Sequence, residues 1–151
     1  MRAVIQRVKS AKVEVEGKSI GAIEKGLLVL LGITHDDQQS DMDWLIKKMV
    51  QLRIFEDEAG KMNLSVDDVK GGLLIVSQFT LYGDCKKGNR PSFIRSAPPA
   101  VSIPIYESFL ETLRVRFAGP IETGEFGATM DVSLVNDGPI TIILDSRQQN
   151  F

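Results

Sequence analysis

A chain of 151 residues with 43% hydrophobic and 25% charged side chains has the size and balance of one soluble globular domain. Its net charge of −2 argues against generic coating of nucleic acid, which needs a broad basic face. One cysteine, Cys85, excludes an internal disulfide or a Cys-rich zinc site.

The opening "MRAVIQRVKSAKVEVEG" carries charges every few residues, so it lacks the apolar h-region of a signal peptide, and no run approaches transmembrane length. A cytoplasmic location is the expectation. The same opening reads as a strand, with Gly17-Lys18 turning into "SIGAIEKG". "GLLVLLGI" is a continuous apolar run suited to a strand buried on both faces. His35, the one histidine, follows in the polar loop "GITHDDQQSD". As a solvated loop imidazole it leaves no Ser-His-Asp triad, Cys-His dyad or His-based metal site. "SDMDWLIKKMVQLRIF" has helical spacing, with Met42, Leu45, Ile46, Met49 and Leu52 on one side and Ser40 as N-cap.

"RIFEDEAGKMNLS" reads as strand-turn-strand about Glu58-Ala59-Gly60, and "GGLLIVSQFTL" as a second buried strand. A basic loop, "CKKGNRPSFIR", carries Lys86, Lys87, Arg90 and Arg95 around Phe93. "APPAVSIPIYESFLETLRVRF" follows as a second helix that Pro98 and Pro99 suit at its start, with Pro104 blurring the first turn. "IETGEF", "ATMDVSLV" and "ITIIL" complete the chain as strands, and residues 145–151 read as a mobile tail. The expected architecture is α+β: a β-rich, barrel-like mixed sheet flanked by two main helices, in a single domain spanning residues 1–151.

Two stretches offer chemistry. In "SQFTLYGD", Ser77, Gln78 and Thr80 emerge where the strand "LLIV" stops, a place where scaffolds display functional groups. A hydroxyl needs a base to act as nucleophile, and none accompanies these residues. They bind, or their backbone amides form an oxyanion hole, or they merely satisfy strand-end hydrogen bonds. In "VNDGPITIIL", Asn-Asp-Gly between two β runs signals a hairpin corner. Yet Pro139 has no N–H with which to start the next strand's pairing, and an X-Pro bond can be cis. Gly138-Pro139 is therefore either a corner or a rigid piece of backbone presented to a ligand.

"MRAVIQRV", "GKMN", "SQFTL", "RPSF" and "NDGPIT", in that order, make the chain resemble the D-aminoacyl-tRNA deacylases, once called D-tyrosyl-tRNA deacylases, from Met1 to about Leu144. The resemblance implies a homodimer with active sites at the subunit interface. Its reaction would be hydrolysis of the ester joining a D-amino acid, or glycine, to the terminal adenosine of tRNA, with no cofactor and no metal. Gly138 and Pro139, as a Gly-cisPro motif, would enter the partner's pocket and face the substrate α-carbon, with Arg7 holding their orientation. Ser77, Gln78, Phe79 and Thr80 would line the reacting end, and Phe126 and Met130 would contact the adenosine. An L side chain would clash with the rigid carbonyls, so selectivity would be rejection. Either the terminal 2′-hydroxyl of the tRNA assists the water or Thr80 is the nucleophile. Asn89 stands where relatives are often basic, which thins the positive loop of Lys86, Lys87 and Arg90. The rival readings are a non-catalytic RNA-binding dimer using the same adenosine pocket and an ordinary small-molecule esterase, which the lack of a Ser-His pair disfavours.

Overall fold

The computed structural model describes residues 1–150. Its organising element is β1 (Arg2–Val15), with both edges occupied. One edge takes β3 (Gly26–Gly32) along Arg2–Val8 and β2 (Lys18–Ile23) along Ala11–Val15; the other takes β8 (Asp131–Asp145) along nearly its whole length. All three pairings are antiparallel. Beyond β3 the sheet continues with parallel β6 (Gly72–Ser77) and then parallel β7 (Ile121–Thr123). Helix α1 (Gln39–Gln51) and the small ribbon of β4 (Phe55–Glu56) and β5 (Met62–Leu64) lie in the connection from β3 to β6. Helix α2 (Pro99–Arg116) lies in the connection from β6 to β7.

The sheet curls until its ends nearly meet. At Gly21 of β2 an added Cβ would stand 2.6 Å from the Thr123 carbonyl oxygen of β7, so only glycine permits this closure. The result is the barrel-like mixed sheet with two helices expected from the sequence. The apolar runs of β3 and β6 feed a core on each face, as buried parallel strands do. Leu27, Val29, Leu31, Leu73 and Ile75 pack with Met42, Leu45, Ile46 and Met49 of α1 and Phe109 and Leu113 of α2. Leu28, Leu74 and Val76 point the other way, into a cluster with Val8, Ala11, Val13 and Ile23. Among the described residues no helix is long and apolar enough to cross a membrane.

Three expectations are corrected. Helix α1 begins two residues earlier than Ser40 implies: Gln38 is the cap residue, and the Asp41 carboxylate accepts its N–H at 2.9 Å. Pro104 does not disturb the start of α2, which begins at Pro99 and runs through it, with the proline on the exposed side of the helix. The chain end is not a free tail. Asp145 and Ser146 are buried, Asp145 accepts from Arg2 at 2.8 Å, Ser146 Oγ donates to Asp41 at 2.6 Å, and Arg147 pairs with Asp36 at 2.5 Å. Phe151, also assigned to that tail, lies outside the described residues.

The largest difference concerns "VNDGPITIIL". There is no hairpin: both β runs belong to β8 and pair with the same strand, β1. Between two register points β1 advances two residues, from Gln6 to Val8, while β8 covers five, from Thr141 to Asn136. The surplus of three loops out as a wide bulge containing Gly138 and Pro139.

Candidate active site

The parallel strands β3 and β6 end side by side, and such ends open onto the customary ligand crevice of mixed α/β sheets. Here they open into a cleft of about 630 Å³. Its floor is Leu31, Ile33, Val76 and Ser77; Gln78 and Phe79 continue from β6; Phe126, Gly127, Ala128 and Met130 close it from the loop before β8. The start of α2 supplies Pro98, Pro99 and Ser102 as the remaining wall. Met130 Sδ packs close over Gly124, where an added Cβ would lie 2.6 Å from it and would push the flexible thioether aside. Phe126 packs on Tyr106 at 5.6 Å between ring centroids, and the Tyr106 hydroxyl donates to the Ile75 carbonyl at 3.2 Å. Burial pushes the Tyr106 phenol up to about 12, so it stays a neutral donor beneath the site.

After Ser77 the chain makes a short 3-10 turn over Phe79–Tyr82. Its first two amides, of Phe79 and Thr80, donate to no protein acceptor among the described residues, as helix-start amides generally must find partners outside. Gln78 Nε2 donates to Thr80 Oγ1. Arg2 braces the turn from behind, donating from Nη1 to the Leu81 carbonyl at 2.8 Å and lying 5.0 Å from the Tyr82 ring centroid. Phe79 is 57% exposed and meets Phe93 edge-on, with ring centroids 5.1 Å apart.

None of the residues lining the cleft is ionisable. His35 does not line it; the imidazole is exposed, and its Nε2 donates to the Ile94 carbonyl at 2.9 Å. Cys85 is exposed, and Lys86, Lys87 and Arg90 stand on an exposed loop. Among the described residues no three His, Cys, Asp or Glu side chains converge as metal ligands.

Of the residues singled out in the sequence, Ser77, Gln78, Phe79, Phe126 and Met130 line this cleft, and Thr80 adjoins it in the 3-10 turn. Arg7, Gly138 and Pro139 do not line it. They form a second assembly, on β8 and β1. The Gly138–Pro139 peptide is cis, and both residues are exposed at the tip of the bulge. Arg7, 5% exposed, donates from Nε to the Asp137 carbonyl at 3.0 Å and from Nη1 to the Ile54 carbonyl at 2.6 Å, with the Asp137 carboxylate 3.2 Å away. Asn136 ties the neck of the bulge by accepting the Ile140 N–H on Oδ1 at 2.8 Å. The bulge is thus pinned on both flanks.

The family model described as D-Tyr-tRNA(Tyr) deacylase matches residues 4–145. The chain belongs to this deacylase family. It is accordingly an enzyme, a hydrolase by class. A relative from Thermosipho africanus, a D-aminoacyl-tRNA deacylase, is 62% identical over 98% of this chain and 99% of its own length. A solved structure described as c-Myc DNA Unwinding Element Binding Protein superposes on this deacylase with a TM-score of 0.92 at 46% identity, covering 96% of this chain and 98% of that one. A probable eukaryotic D-amino acid tRNA deacylase shares the fold, with a TM-score of 0.79 at 17% identity over 95% of this chain and 97% of that one.

Sequence reading missed the wall contributed by Ala97, Pro98 and Ser102, and the neck residue Asn136. Only Asn136 had a local signal, since asparagine beside Asp-Gly commonly bonds backbone a few residues on.

Proposed function

We propose that the chain hydrolyses the ester of D-aminoacyl-tRNA, and of glycyl-tRNA, in a cleft completed by a second copy of itself. Phe126 and Met130 hold the terminal adenosine, and Ser77, Gln78, Phe79 and Thr80 surround the ester. The pinned bulge of the partner subunit enters from the open side, presenting rigid backbone to the α-carbon. Only hydrogen fits on that side. A D side chain points away into the open, glycine passes, and an L side chain collides with main chain that Arg7 holds in place.

The observation that carries this reading is a cleft furnished for an ester but without an ionisable group. A water attacking the carbonyl needs a proton acceptor, and the terminal 2′-hydroxyl of the tRNA is adjacent to the ester in any such substrate. The unpartnered amides of Phe79 and Thr80 are suited to the oxyanion. The test is hydrolysis of D-tyrosyl- against L-tyrosyl-tRNA, with Thr80→Ala alongside. Release of D-tyrosine alone, with Thr80→Ala retaining turnover within about tenfold, is the expected result. Near-complete loss in Thr80→Ala would count against the substrate-assisted version.

A second role has one observation in its favour: the solved relative at 46% identity is described as a DNA unwinding element binding protein. Nucleic-acid binding through the same adenosine pocket would then accompany hydrolysis, and would show as retention of tRNA after the amino acid is released.

A further inference from the structure

Beside the cleft lies a second hollow of about 600 Å³, lined by Arg2, Thr34, His35, Tyr82, Ile94, Arg95 and Arg147 with the carboxylates of Asp36 and Asp145. The two share their dividing wall. Three segments each contribute to both: Phe79 to the cleft and Tyr82 to the hollow; Ile33 to the cleft and Thr34 to the hollow; Phe93 and Ser96 to the cleft and Ile94 and Arg95 to the hollow. Ile33 and Thr34 are consecutive residues, so at that point the wall between cleft and hollow is a single peptide unit, about 3.8 Å from Cα to Cα.

The three guanidinium groups differ in what they already hold. Arg2 is committed to Asp145 and the Leu81 carbonyl, and Arg147 to Asp36. Arg95 has no acidic partner among the described residues. Its backbone is nevertheless fixed: its carbonyl accepts from Thr34 Oγ1 at 2.5 Å, and the preceding carbonyl accepts from His35. Within the hollow's own lining stands Ile94, an isoleucine 83% exposed, which offers an apolar face to a ribose or base entering it.

We propose that this hollow is a second RNA subsite, in which Arg95 receives the phosphodiester that precedes the terminal adenosine. The proposal rests on the adenosine reading of the cleft and adds a recognition element to it. A guanidinium on a fixed main chain suits a phosphate bidentately, and the contact is blind to sequence, as befits an enzyme that must accept many tRNAs.

The test compares binding of adenosine with that of the dinucleotide CpA, which adds one phosphodiester. The wild-type chain is expected to bind CpA about tenfold more tightly, with Arg95→Ala erasing the difference, Arg95→Lys restoring part of it, and adenosine affinity unchanged throughout. Rising salt should shrink the CpA advantage, because screening weakens a single exposed guanidinium–phosphate pair. Equal wild-type affinity for both probes would overturn the proposal, as would an Arg95→Ala variant that weakens both alike. Inorganic phosphate displacing CpA at equal concentration would assign the hollow to free phosphate and overturn the RNA reading. Hydrolysis of D-tyrosyl-tRNA is scored separately on the wild type. Failure of the deacylase reading would therefore appear as no release with the CpA advantage intact.

Discussion

At Gly138 the backbone takes φ +137, and an added Cβ would meet Ile140 Cγ1 at 2.8 Å and Ile140 N at 2.9 Å. Gly138→Ala must therefore reshape the bulge tip, at a cost of about 1–3 kcal/mol. In a chain of this size that cost lowers Tm by about 2–12 °C in a thermal melt. Turnover of D-tyrosyl-tRNA should fall at least about tenfold if the tip carries chiral rejection. Unchanged turnover would remove Gly138 from the site. Arg7 illustrates what a residue reading can and cannot see. In "MRAVIQRV" it is one of several spaced charges on a strand, and its burial follows only from the loop opposite it, which the local sequence does not show. Ser77, Gln78 and Thr80 were legible because an apolar strand stops there in a burst of polar groups. Ala97 and Ser102 were not, since small residues at a helix start have many ordinary uses.

Among the elements, β8 shows why "NDGP" misleads. A turn-prone tetrapeptide between two β runs forms a hairpin when the runs pair with each other, and here each finds the longer partner β1 instead. The length of β1, 14 residues, was visible, but pairing partners are set by the whole sheet. Removing residues 137–139 would leave β8 and β1 each advancing two residues between the same register points. The shortened chain should therefore fold with the ladder in register from Arg2 to Val8 and only the small shift between Val8 and Ser10 remaining, losing about 1–3 kcal/mol because buried Arg7 forfeits the Asp137 carbonyl. A cooperative melt together with abolished D-tyrosyl-tRNA hydrolysis is the expected pair of results. A chain that melts without cooperativity would show the bulge to be structural. The helices were easier to read, because their apolar spacing is local. Only the cap of α1 shifted, as Gln38 and Asp41 formed a box ahead of Ser40.

For the molecule as a whole, the seam joining chain end to chain start sets the response to acid. Burial raises the Asp145 carboxyl, but the Arg147 N–H and the Arg2 guanidinium outweigh it and hold it below the usual carboxylate range. Burial likewise raises Asp41, and the bonds from Ser146 and Gln38 bring it below. A depressed folded value means the unfolded chain binds the proton first. These groups therefore stabilise fully above the unfolded carboxylate range, and the contribution is lost as pH falls through their folded values. Asp37, held above its usual value chiefly by burial, opposes this trend. Tm should fall steeply below about pH 4, and Asp145→Asn should flatten that fall while costing about 2 kcal/mol at neutral pH. An identical acid slope in the variant would contradict the assignment.

Assembly is the other property at this scale. The outer edge of β8 has no strand partner among the described residues, and the bulge tip does not line its own cleft. Each chain thus carries a cleft and a wedge that do not meet within it. The decisive measurement mixes two inactive variants, one lacking residues 137–139 and one with the cleft filled by Ala128→Trp, and follows D-tyrosyl-tRNA hydrolysis after subunit exchange. If the wedge works across the interface, half of the randomly mixed dimers hold one intact site, and activity returns to about a quarter of the wild-type value. If cleft and wedge act within one chain, no mixed dimer has a complete site, and activity stays at zero.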